Sequence, residues 1–284
     1  MTRTYIVGVD ASDDADRALQ WTRTAAADDD VIVAVHAWDL PTMVGIDSYA
    51  VVPVTELGDL AERGLAEMIA AQGDERIVPV VRQGRAGHAI VQAAEEHDAD
   101  VIVVGHQGSG RSSMVLGSTA NHVVHDTSRP VVIVRGEWRV KPELVVVGVD
   151  DDDLDDGENG SVRALRWAYG VSTALIVQVV HSWFVPSFVA GRFSSPGAEF
   201  ADLDADAVAV AERVIEAAGA VPPGLDVRAA AVNGTPEFAL IEASREADLV
   251  VVGSRGRGGF AGLVLGSTSL DLASHSHCPV AILR

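Results

Sequence analysis

Short runs of β-branched and aliphatic residues alternate along this chain with longer amphipathic stretches. Tyr5 to Val9 is an apolar run that stops at Asp10, and Ser12 and Asp13 then supply helix-opening acceptors. The pattern predicts a helix over Ala15 to Ala26, with Ala18, Leu19 and Trp21 among its apolar positions and Trp21 in the core. Val31 to Val35 is a second run, closing on His36-Ala37-Trp38. Leu40 to Pro53 has no period and reads as a loop. Thr55 to Ala71 brings back Leu57, Leu60, Leu65 and Ile69 at roughly helical spacing. Then come a strand at Ile77 to Val81, a helix at Ala86 to Glu96, a strand at Asp100 to Val104, a helix at Gly117 to His125 and a strand at Pro130 to Val134. Strands that are apolar throughout and alternate with helices predict a parallel sheet covered on both faces.

After a short polar linker, Gly136 to Glu143, the pattern restarts. Leu144 to Val149 ends at Asp150, as Val9 ended at Asp10. Arg163-Ala164-Leu165-Arg166-Trp167 echoes Arg17-Ala18-Leu19-Gln20-Trp21, which predicts a core place for Trp167 too. Ile176 to Val180 ends at His181, as Val35 ended at His36, and the closing Cys278-Pro279-Val280 echoes Arg129-Pro130-Val131. The chain therefore reads as two similar α/β domains, 1–137 and 143–284.

Each copy carries a glycine-dense stretch between an apolar run and a helix. In the first copy Gly105, Gly108, Gly117 and Ser118 mark it; in the second, Gly253, Gly256, Gly266 and Ser267. Eight residues separate Gly108 from Gly117 and nine separate Gly256 from Gly266. Glycines let backbone approach a ligand closely, and the free amides of a helix start attract anions such as phosphate.

Composition narrows what such a loop can hold. The formal charge is −20 over 284 residues, which argues against nucleic acid and anionic membranes as partners. An anionic ligand must be gripped by local backbone dipoles. Lys141, in the linker, is the only lysine, so a Walker loop with its Gly-Lys-Ser/Thr is excluded. Cys278 is the single cysteine, which excludes an internal disulfide, and with neither a signal-peptide layout nor a spanning apolar stretch the expected location is the cytoplasm.

An Asp ending strand one, a His closing strand two, the G-x2-G-x9-G-[ST] spacing after strand four (one residue shorter in the first copy) and a final Pro-Val strand, in the same order in both halves, resemble the universal stress protein family in its tandem two-domain form. The resemblance implies flavodoxin-like (Rossmann-like) domains, each a five-stranded parallel sheet of order 3-2-1-4-5. It implies, in the family's ATP-binding branch, a nucleotide at the carboxyl ends of strands one and four. That is also the topological switch point where an open sheet binds ligands. By resemblance, Asp10, Ala37, Val104, Gly105, Gly108, Gly117, Ser118 and Thr119 would form the first site. Asp150, Ser182, Val252, Gly253, Gly256, Gly266, Ser267 and Thr268 would form the second. The first loop is one residue short, and Asp150 to Asp153 replace the Asp-x-Ser of the first copy, so unequal affinities are expected. Carboxylates facing a triphosphate call for a divalent cation, Mg or Mn, between them.

The expected function is that of an ATP-binding regulatory protein of the stress response, with slow hydrolysis or none, since no general base or phosphate-activating lysine stands out. Two alternatives remain: a nucleotide-free interaction module of the same family, and an adenylyl-transfer enzyme on the same fold. The latter would need glycines that Asp10-Ala11-Ser12-Asp13-Asp14-Ala15 lacks. His36 and His181 read as packing residues, and His275-Ser276-His277-Cys278 lacks a full metal-ligand set. The last strand of each half is expected to pair with the other within the chain. The protein partner is unknown, and a homodimer is possible.

Overall fold

The computed structural model describes residues 2–39, 54–108, 116–150, 159–171, 175–185, 196–254 and 265–284. The chain divides into two compact units, Met1–Val134 and Arg135–Arg284. In the first, strands β1 (Thr4–Gly8), β2 (Val31–Trp38), β3 (Ile77–Gln83), β4 (Val101–Gly105) and β5 (Val131–Val134) alternate with helices α1 (Asp13–Ala25), α2 (Val54–Gln72), α3 (Ala86–Glu96) and α4 (Ser118–Asp126). All strand pairs are parallel and run in the order β3-β2-β1-β4-β5, with Tyr5 opposite both Ile32 and Val101. The second unit repeats the order: β6 (Leu144–Gly148), β7 (Ile176–Trp183), β8 (Asp226–Asn233), β9 (Leu249–Gly253) and β10 (Val280–Leu283) lie as β8-β7-β6-β9-β10. Its helices are α5 (Gly160–Val171), α6 (Pro196–Ala218), α7 (Pro236–Ala243) and α8 (Ser267–His275).

Apolar runs are buried without alternation in β1 (Tyr5-Ile6-Val7), β4 (Val101–Val104) and β5 (Val131–Val134). Two-faced burial is what made those runs continuous rather than alternating. Strands β3 and β8 depart from that expectation. Val78 of β3 is 44% exposed, and Asp226 to Asn233 of β8 holds no fully buried residue. A helix packs on each, α2 on β3 and α6 on β8, and among the described helices no other packs on either to a comparable extent.

Two expected core positions also move. Trp21 is buried, whereas Trp167 is half-exposed, on the flank of the α5 stripe formed by Val162, Ala164, Leu165 and Ala168. In α2, Leu65 and Ile69 are buried one turn apart, but Leu60 is 54% exposed because its spacing from Leu65 turns it away.

One carboxylate ties together the ends of α1 and α2. Arg76 donates from Nε and Nη2 to Asp74 at 2.9 and 2.8 Å, and Arg23 Nε donates to the same group at 3.0 Å. Arg76 Nη1 also reaches the carbonyls of Ala26 and Ala27. The Arg76 guanidinium, helped by Arg23, holds the Asp74 carboxyl well below the usual carboxylate range. A depressed folded-state value stabilises the fold above the unfolded value near ~4 and loses that contribution as pH falls below it. The stability gap between the wild type and Asp74→Asn should therefore be widest near neutrality and close steadily below about pH 4. Denaturant titrations at several pH values check this, and a pH-independent gap would contradict it.

The segment that reads as a linker, Gly136 to Glu143, is bonded to the second unit. Glu137 N donates to His277 O at 2.9 Å, and Gly136 takes φ +58° beside it. Asp248, 3% exposed, accepts from Arg139 N and Nη1 at 3.0 Å each, from Glu143 N at 2.7 Å and from Leu144 N at 3.1 Å. A buried carboxylate is tolerable because these donors replace its water.

Candidate nucleotide site

In the first unit a cavity of about 420 Å³ opens at the carboxyl ends of β1 and β4. Here β1 pairs with β2 on one side and β4 on the other, so the connections leave in opposite directions and their loops part. Asp10, Ala37, Val104, Gly105, Gly108, Gly117, Ser118 and Thr119 all line it. These residues come from four separate stretches of chain. The lining also includes Gly8, Ala15, Ala86, Ile90, Gln107 and Leu116, which sequence reasoning did not single out. Gly8 had a visible signal, a glycine at the end of a β-branched run, and such a glycine marks close approach. Ala86 and Ile90 share the face of α3 one turn apart.

The glycines answer to space. An added Cβ at Gly105 would stand 2.7 Å from the Asp14 carbonyl oxygen, and one at Gly8 would stand 2.6 Å from Ile90 Cδ1. At Gly108 it would stand 2.6 Å from Asp10 Oδ2, and at Gly117 3.0 Å from His106 O. Asp10 is itself fixed: Oδ1 accepts from Ser12 N at 3.1 Å and from Ser12 Oγ at 2.5 Å. Between them Ala11 holds φ +59°, a left-handed conformation unfavourable for a residue with a Cβ. Ser12 then caps α1 by accepting from Ala15 N at 3.2 Å.

The wall of the cavity at α4 presents the start of a helix. Gly117 is the N-cap and has no side chain to offer, so the first-turn amides of Ser118, Thr119 and Ala120 are not capped from it. Such amides and the aligned helix dipole favour negative charge. No lysine or arginine is among the described residues lining the cavity. Val9, Val35, Ile90, Val104 and Leu116 give it an apolar side.

The second unit places its counterparts at the same ends of the same strands. Asp150 follows β6, Val252 and Gly253 end β9, which pairs with β6, and Ser182 lies on β7 opposite Val232. Gly266 is the N-cap of α8, without a side-chain cap, and Ser267 and Thr268 open that helix. Gly256 and Asp151 to Asp153 lie outside the described residues. One local difference is plain. Ser161 stands where the first copy has Ala15, and its hydroxyl accepts from Asp150 N at 2.9 Å and donates to Asp150 O at 3.2 Å.

The sequence model of the universal stress protein family matches residues 1–135 and, a second time, 143–284. The chain belongs to the universal stress protein family. A universal stress protein of Mycolicibacterium smegmatis is 26% identical over 294 residues, covering 98% of this chain and 96% of that one. A Mycobacterium tuberculosis universal stress protein is 28% identical over 295 residues, covering 98% and 95%. Among solved structures, a universal stress protein from Archaeoglobus fulgidus superposes with a TM-score of 0.66 at 22% identity, covering 99% of this chain and 96% of that one. The tandem arrangement is thus shared along nearly the whole length.

Within these universal stress protein domains, the histidines that close the second strands each bond the neighbouring strand end through one ring nitrogen. His36 Nδ1 lies 2.9 Å from Val9 O and His181 Nδ1 2.9 Å from Val149 O, so each ties the end of one central strand to its neighbour. Among the described residues, no group of three or more His, Cys, Asp or Glu could hold a metal ion. Cys278 is fully buried, and burial pushes its thiol up to about 12, which leaves it without a nucleophilic thiolate near neutrality. None of the described helices is long and apolar enough to cross a membrane.

Proposed function

We propose that this universal stress protein binds ATP at the switch-point cavity of its first domain, and in a second, weaker site at the matching place in its second domain. The observation that carries this reading is the convergence of eight residues, drawn from four stretches of chain, on one cavity. That cavity joins a capless helix start to an apolar half. The volume, about 420 Å³, falls among small-molecule sites. The amides of Ser118, Thr119 and Ala120 would meet phosphate oxygens, with the hydroxyls of Ser118 and Thr119 beside them. Val9, Val35 and Ala37 would flank the base and ribose. The glycines fit the group because a Cβ at Gly105, Gly108 or Gly117 would fill the cradle or displace its backbone. Asp10 calls for a divalent cation, Mg or Mn, to accompany the triphosphate.

The binding is regulatory rather than catalytic. No lysine reaches the described lining, and Nδ1 of each strand-closing histidine faces a backbone carbonyl. Hydrolysis, if measured, should be slow. The role is to couple the occupancy of the domains to the state of the cell under stress. Calorimetric titration of the purified chain with ATP and Mg²⁺, paired with native mass spectrometry for co-purified nucleotide, tests the proposal. Saturable binding with at least one site is expected. No binding with either cation would leave the nucleotide-free interaction module in its place, and rapid pyrophosphate release would point to adenylyl transfer.

A further inference from the structure

One carboxylate ties the glycine loop of the first domain to α1. Asp14 sits in the first turn of α1, and its Oδ2 accepts from Gln107 N at 2.9 Å. The same residue backs the end of β4. A Cβ on Gly105 would stand 2.7 Å from the Asp14 carbonyl oxygen and 2.9 Å from its Cβ, so Gly105 lies directly against it. Gln107 and Gly108 line the cavity, while Asp14 does not. Asp14 therefore acts on the cavity from behind, through the peptide that opens the loop. Its own charge is accommodated by the helix start it belongs to, where acids are favoured.

Among the described residues of the second domain, no carboxylate stands at this place in the helix. Arg163-Ala164-Leu165-Arg166-Trp167 repeats Arg17-Ala18-Leu19-Gln20-Trp21, which puts Gly160 at the place of Asp14. Glycine has no side-chain acceptor. The neighbouring hydroxyl, Ser161 Oγ, is engaged with the backbone of Asp150.

We propose that Asp14 is a positioning residue for nucleotide binding in the first domain, holding the Gln107–Gly108 backbone where a phosphate meets it. This preorganised loop makes the first site the tighter of the two. The inference rests on the reading of the cavity as a nucleotide site. Ordering a loop in advance removes a cost that binding would otherwise bear. A carboxylate near phosphate also repels, so the tether and the charge pull in opposite directions, and two substitutions separate them. Asp14→Asn keeps an oxygen acceptor for the Gln107 amide and removes the charge. Asp14→Ala removes both.

Hydrogen exchange by mass spectrometry on the full chain reads both halves of the argument. Without nucleotide, the Gln107 amide should be protected in the wild type and in Asp14→Asn and exchange faster in Asp14→Ala. With ATP and Mg²⁺, protection of the Ser118, Thr119 and Ala120 amides reports occupancy of this site alone. Asp14→Ala should need about tenfold more ATP for the same protection, as expected for one lost hydrogen bond to a charged group. Asp14→Asn should stay within about threefold of the wild type. Equal Gln107 exchange in wild type and Asp14→Ala would overturn the tether whether or not ATP binds. Tighter binding in both variants would show that charge repulsion governs, and would also overturn it. A Gln107 difference with no ATP protection in any form would instead defeat the nucleotide reading and the positioning role with it.

Discussion

Gly108→Ala combined with Gly117→Ala is expected to weaken ATP binding in the first domain by about 100-fold while leaving its fold intact. The Cβ at position 108 would come within 2.6 Å of Asp10 Oδ2, and that carboxylate is not free to swing, since Ser12 donates to it from both N and Oγ. The Cβ at position 117 would stand 3.0 Å from His106 O and 3.2 Å from Gln107 Cα. Both neighbours are backbone, and Gly117 N already bonds His106 O at 2.9 Å. The loop must therefore withdraw at both ends, carrying its amides away from where a phosphate would sit. Overpacking strain of about 1.5 kcal/mol at each position is typical. Together the two correspond to about 100-fold in affinity. The loop lies outside the buried strands, so thermal unfolding of the domain should change little. Calorimetric titration with ATP and Mg²⁺ reads the effect, and an affinity equal to that of the wild type would remove the phosphate site from this loop.

The second large effect is on stability. Gly136→Ala should destabilise the second domain by about 3 kcal/mol or more. The backbone here has φ +58°, and a Cβ would fall 1.8 Å from His277 O, 2.2 Å from its carbonyl carbon and 2.8 Å from Cys278 N. His277 cannot retreat easily: its N–H donates to Ser244 Oγ at 2.9 Å and its carbonyl accepts from Glu137 N at 2.9 Å. Cys278 follows, fully buried, and leads into β10. Gly136→Asn separates the two causes, because Asn tolerates the left-handed backbone but brings the same Cβ. It should fail as badly as Ala. Urea denaturation followed by circular dichroism measures both, and a loss under about 1 kcal/mol for either would show that the segment can lift away.

The alternation of strands and helices was readable because central strands in a two-faced parallel sheet need unbroken apolar runs, and Tyr5-Ile6-Val7 and Val101–Val104 are such runs. In the first copy the glycines were readable because Gly105 and Gly108 stand where side chains cannot. Other features depended on contacts that no local pattern writes. Asp14 looks like one more acid in a helix first turn, beside Asp13 and Asp16. Only the fold brings Gln107, far along the chain, to its carboxylate. Ile90 closes the cavity because β1 offers no side chain at Gly8, a fit between two separate elements. Trp167 copies the motif around Trp21 but not its burial, because each helix meets its own neighbours.

The strap from Gly136 to Arg139 also decides where this protein can be cut. A fragment begun at residue 143, where the second family match starts, would strip the sunken Asp248 of both Arg139 donors and His277 of Glu137. Begun at Arg135, it would keep them all. Anyone dividing the tandem into halves to assay each lobe alone should leave the whole seam with the downstream piece.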